Sequence, residues 1–182
     1  MIVVFAEQVF PLGEEGALSL GLMFSFSGVG AVLGPVIADR FIDQKVNHLI
    51  WTIVIGFVLI PIGWFIWGVS PTLTILLGGA VLRAMGGSIN WTYSNVLIQM
   101  QVPDHFLGRV FAFDFGLFTI VFATAAWATG YALDERAIDP RALSLDIALI
   151  NLIPLAIWFL STLFLIRLAT KNVASSHEAA KE

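Results

Sequence analysis

The chain has 182 residues, nine basic and thirteen acidic, and 58% of it is hydrophobic. Charged residues make up 12%, about half of the roughly 25% that an ordinary soluble domain carries. They are missing altogether from 16–38, 46–82, 84–103, 115–133 and 147–166, and each of these stretches, as helix, reaches across about 30 Å of hydrocarbon. The sequence therefore predicts an all-α membrane protein that meets a lipid bilayer along most of its length. No basic face is left for nucleic acid, and with no cysteine there is no disulfide, thiolate chemistry or cysteine-based zinc site.

In chain order, residues 1–10 are apolar but too short to span, and Pro11 and Gly13 close them. They lack the basic start of a signal peptide. They read as the end of a truncated transmembrane helix, with a frayed interfacial N-terminus as the alternative. The five-helix transmembrane domain is expected over 17–168, with spans at about 17–38, 49–69, 72–99, 110–132 and 145–167. In the first of these, Gly30, Gly34 and Ala38 recur every four residues, a spacing that lets a second helix approach backbone to backbone. Pro35 bends that helix. Trp64 and Trp67, near the end of the second span, are expected at the headgroup interface. The third span is the most polar, with Arg83, Ser88, Asn90, Tyr93 and Asn95. The connector before the fourth holds Asp104 and Arg109, read as capping and pinning a turn that Gly108 lets bend back. The tail, 171–182, is rich in Ser, Glu, Lys and Ala and is expected to be a disordered cytoplasmic tail.

If the spans alternate, one face receives Arg40, Lys45, Arg109, Arg167, Lys171 and Lys181, and the other only Arg136 and Arg141. The excess of basic residues places the first face, and the C-terminus, in the cytoplasm. The expected location is a plasma membrane of bacterial inner-membrane type.

Three features of the sequence resemble the C-terminal six-helix half of a major facilitator superfamily transporter, of the drug- and siderophore-exporter-like kind. SFSGVGAVLGPVIADRF resembles the eighth helix and the loop after it. GGSINWTYSNVLIQMQVPDHFLGRVFAFDFG resembles the tenth helix, its turn and the opening of the eleventh. Within it, VPDHFLGRVFA at 102–112 looks like the family's Pro-Asp…Gly-Arg-Val-Phe element. The loop motif is kept only in part: Ala38, Asp39 and Arg40 match, whereas Ile42, Asp43 and Gln44 stand where the family has Gly and two Arg. The resemblance implies alternating access, with the two halves rocking about a midplane site. It also implies proton-coupled efflux of a small molecule, a missing N-terminal half or homologous subunit as partner, and a gate to which Asp39 contributes.

Arg83, with Asn90 and Tyr93 on roughly the same side, is the substrate-cavity candidate, expected near the midplane. A guanidinium in lipid is costly, so it should face protein or a water-filled path. A buried structural ion pair is the competing account. Asp39, Arg40, Arg109 and Asp114 are the gate and charge-network candidates, Asp114 being placed at the cytoplasmic opening of the fourth span, where it could also accept a proton. The glycine spacing is wrong for a dinucleotide fold, and the three histidines lie far apart, so no metal, cofactor or catalytic machinery is expected. The alternative function is a small non-catalytic membrane scaffold or assembly subunit.

Overall fold

In the computed structural model, residues 1–41 and 45–164 are described. The tail at 171–182, the end of the last predicted span, the charges of Arg167, Lys171 and Lys181, and the motif positions Ile42, Asp43 and Gln44 lie outside them. The N-terminal segment is one turn of α-helix, α1 (Ile2–Val4), running into a π-helical turn, Phe5–Val9. Phe5 and Ala6 are buried. The chain then doubles back through a short 3-10 turn, Glu14–Gly16. Gly16 is needed there: its φ is +78°, and a Cβ would overlap the carbonyl of Ala6. Ser19 fastens this return, donating to the Phe10 carbonyl and accepting from the Leu12 N–H at 3.2 Å.

Four further helices follow: α2 (Ala17–Asp39), α3 (Val46–Val69), α4 (Leu73–Gln101) and α5 (Asp104–Asp134). The last element, α6 (Pro140–Ile150), has Pro140 in its first turn, where a missing N–H costs nothing, and the Asp139 side chain accepts from the Arg141 N–H. After a turn at Asn151 the helix resumes over 152–164. The break has a local cause: Pro154 supplies no N–H for the Ile150 carbonyl four residues back. Five helical stretches, including Pro140–Phe164 taken together, are long and apolar enough to cross a membrane. The protein is a multi-pass all-α membrane protein.

Two boundaries differ from expectation. The fourth span starts at Asp104 rather than near residue 110, and the fifth at Pro140 rather than near residue 145. The bend is made by Val102 and Pro103 alone, and Gly108 is an interior helical residue. Asp104 makes no side-chain cap; it sits in the first turn, where the helix dipole favours a carboxylate. Arg109 is likewise helical and exposed, not a pin across the turn.

The centre of the molecule is a three-helix unit in which α4 lies between α2 and α3. The α2–α4 contact runs parallel: a Cβ on Gly30 would strike the backbone of Val81, and one on Gly34 would come within 2.7 Å of the Met85 carbonyl and Ser88 Oγ. Ala38, a turn further on, packs partly buried against the Leu49, Ile53, Ile89, Tyr93 and Leu97 cluster. The α3–α4 contact runs antiparallel, with Gly56 against Gly86 and Asn90, and Gly63 against Gly79 and Arg83. Such contacts rest on dispersion between closely approaching backbones, since lipid supplies no hydrophobic drive between helices.

α6 and its continuation cross the outside of α3. Gly68 abuts Leu145, and the Trp158 indole donates to the Ile50 carbonyl at 3.3 Å. Arg141 Nη1 donates to the Ser70 carbonyl at 2.6 Å, holding the start of α6 to the α3–α4 turn. α5 is different: none of its residues is buried. It touches α4 through the Phe118 and Trp91 rings, 5.4 Å apart, and otherwise faces outward, with Trp127 70% exposed.

Candidate functional site

Three polar groups were expected on one side of α4, and the structure divides them. Arg83 and Asn90 are seven residues apart, two helical turns, and both face α3: Gly63 makes room for the first and Gly56 for the second. Tyr93 lies ten residues from Arg83, a rotation of roughly 80° off that line. It is 6% exposed, and its hydroxyl donates to the Pro35 carbonyl of α2 at 3.4 Å.

Arg83 is half-buried. Its guanidinium carbon lies 5.0 Å from the ring centre of Trp64 and 5.5 Å from that of Trp67. Trp67 has no exposed surface, with Phe5 4.9 Å and Trp64 5.5 Å from its ring. Trp67, expected at the headgroup interface, has its ring enclosed by protein, under the N-terminal segment, and forms a seat for the cation. A desolvated cation–π contact of this kind contributes about 2 kcal/mol. If α4, about 43 Å long, is centred on a 30 Å core, Arg83, ten residues from Leu73, lies about 8 Å inside the hydrocarbon edge rather than at the midplane.

Among the described residues, four buried polar atoms have no hydrogen-bond partner: Ser27 Oγ, Trp67 Nε1, Arg83 Nε and Asn90 Oδ1. Asn90 and Arg83 thus stay unsatisfied at the same α3–α4 contact, two turns apart. Neither the buried ion pair considered for Arg83 nor any other bond to a carboxylate is formed among the described residues.

Two grooves open beside α2. The first, about 440 Å³, is lined by Gly34, Ile37, Phe41, His48, Trp51 and Met85 among others, and is almost wholly apolar. The second, about 480 Å³, is lined by Asp39, Tyr93, Thr92, Leu49 and Met100 among others. Tyr93 and Asp39 thus share a groove, while Arg83 and Asn90 line neither of the two.

The charge-network candidates are not drawn together. Asp39, Arg40 and Arg109 are exposed at the ends of their helices, and among the described residues they form no ion pair with one another or with Asp114. Asp114 is not at a helix opening. It lies ten residues inside α5, about 7 Å within the hydrocarbon if that 31-residue helix is centred. Sequence spacing had placed it at the headgroups because the first six residues of the helix read as connector. The feature that spacing missed is the tryptophan seat, whose only sequence sign is a Trp-x-x-Trp pair one turn apart on α3.

Comparison of the chain with protein-family models, with curated proteins and with solved structures yields no match.

Proposed function

We propose that the chain forms part of a secondary transporter, as the C-terminal half of a two-bundle assembly of the major facilitator kind, moving a small molecule by alternating access with a proton gradient as the source of energy. Its own chemistry is binding and gating, not catalysis. The observation that carries this reading is Asp114. A carboxylate at hydrocarbon depth costs several kcal/mol against lipid, yet the helix that bears it buries none of its residues and, among the described residues, meets α4 only lightly, at Trp91 and Phe118. It needs protein or water beside it, and a second bundle closing a water-filled path along α5 supplies both. The resemblance of 102–112 and of the Ala38-Asp39-Arg40 loop points the same way, with the basic face of the chain in the cytoplasm.

The absence of cysteine makes the test direct. Single cysteines at Phe113 and Gly116, on either side of Asp114, are introduced into the protein in its native membrane and oxidised against cysteines in neighbouring chains. The expected result is cross-linking to a second helical bundle. In vesicles holding that assembly, a pH gradient should collapse when a transported compound is added, and Asp114→Asn should prevent it. Cross-linking without any gradient-coupled flux would point to the scaffold role instead. Reactivity only with lipid-phase reagents would refute the two-bundle reading.

A further inference from the structure

We propose that Arg83, Trp64 and Trp67 form a binding site for the carboxylate of a small organic anion. The argument starts from what is missing. Arg83 Nε–H and Trp67 Nε1–H are both enclosed and both lack an acceptor. They belong to one cluster, since the guanidinium carbon is 5.5 Å from the Trp67 ring centre. Two orphan donors and a cation in one low-dielectric place amount to an acceptor site with its acceptor absent.

The chain does not fill it. No carboxylate bonds to Arg83 among the described residues, and the unpartnered Asn90 oxygen is about 10 Å further along α4. The two tryptophans engage the guanidinium through their rings. That leaves its in-plane N–H groups as the means of binding, and a carboxylate matches them as a two-oxygen acceptor. The seat is preorganised: Trp67 has no exposed surface, and Gly63 and Gly79 hold α3 and α4 close beside it. Arg83 itself keeps part of its surface exposed, and a ligand would approach from that side. An apolar body attached to the carboxylate would meet Trp64, also partly exposed. The class of ligand is thus an aromatic or aliphatic carboxylate rather than a cation, and the site assigns anionic substrates to the transport activity proposed above. It rests on that reading only for the origin of the anion. Binding is measured at equilibrium without transport, so either can fail alone.

The full chain in lipid nanodiscs is titrated with benzoate, with benzamide as a neutral control of the same shape and benzylamine as a cationic one, while tryptophan emission is recorded. Benzoate is expected to give a saturable change, and benzamide and benzylamine none. Arg83→Lys keeps the charge but not the planar fork and should weaken binding about tenfold, the ~1.4 kcal/mol of one charge-assisted hydrogen bond. Arg83→Gln should abolish the response with helix content unchanged, and Trp64→Phe should remove most of the signal. If Arg83→Gln does not fold, the benzoate–benzamide contrast in the parent protein still decides. No saturable response to benzoate would overturn the proposal, showing the donors to be met by a carboxylate from another protein segment or by nothing. An equal response to benzamide, or a full response in Arg83→Gln, would also overturn it.

Discussion

Gly30 and Gly28 lie two residues apart on α2 and should respond to alanine in opposite ways. At Gly30 an added methyl would sit 2.9 Å from Val81 Cα and 3.0 Å from its carbonyl carbon. Ordinary carbon contacts are about 3.5–4.0 Å, and the atoms in the way are backbone, which no rotamer change can move aside. The helices must therefore part by about 0.5–1 Å, loosening the neighbouring contact of Gly34 with Met85 and Ser88 as well. Overpacking of this sort costs about 1–3 kcal/mol. At Gly28 nothing lies within 4 Å of the added methyl, so Gly28→Ala should gain the helix preference of alanine over glycine, about 0.5–1 kcal/mol. The pair is thus expected to differ by about 2 kcal/mol or more. Unfolding by SDS titration from mixed micelles, followed by tryptophan emission, measures the difference. Equal stability of the two variants would refute the backbone-to-backbone packing of α2 on α4.

Trp67→Ala removes the ring that holds the N-terminal segment and Arg83 together, and should cost about 3–5 kcal/mol in the same titration. Arg141→Ala breaks the 2.6 Å bond to the Ser70 carbonyl; a hydrogen bond to a charged group is worth about 1.5–3 kcal/mol, and the loss should appear first as faster hydrogen exchange at the start of α6. With the purified chain in lipid, a membrane-soluble carbene reagent should label α5 more heavily than α3 when peptides are compared by mass spectrometry, because α5 buries no residue and α3 buries nine.

The spans were legible because hydrocarbon tolerates so few charges that a charge-free stretch of twenty residues has little else to be. Their ends were not. Asp104, His105 and Arg109 look like loop, yet a helix can carry charges through the headgroup region as well as a loop can, so α5 began six residues early and carried Asp114 inward with it. The small-residue stripe on α2 announced a close contact but could not name α4 as its partner, since pattern gives a face and not what lies against it. The same limit hid what surrounds Trp67: a ring near the end of a span reads the same whether it meets headgroups or a folded-back N-terminal segment. For Arg83, the sequence showed a cation where lipid would be unfavourable. That two tryptophans rather than a carboxylate attend it depends on the facing register of α3 and α4, which only the fold supplies.

The outward position of α5 bears on how the protein is made. A helix that gives up almost no contacts by leaving the bundle is held across the membrane by its own partitioning into lipid. It can enter the bilayer as an independent unit during synthesis. The α2–α3–α4 unit precedes it in the chain and can close without it, whereas α6 is reached only through α5 and must return to α3. Completion of the bundle therefore waits on the span after α5, and a ribosome stalled before residue 140 would leave the outer side of α3, from Ile50 to Gly68, without its cover.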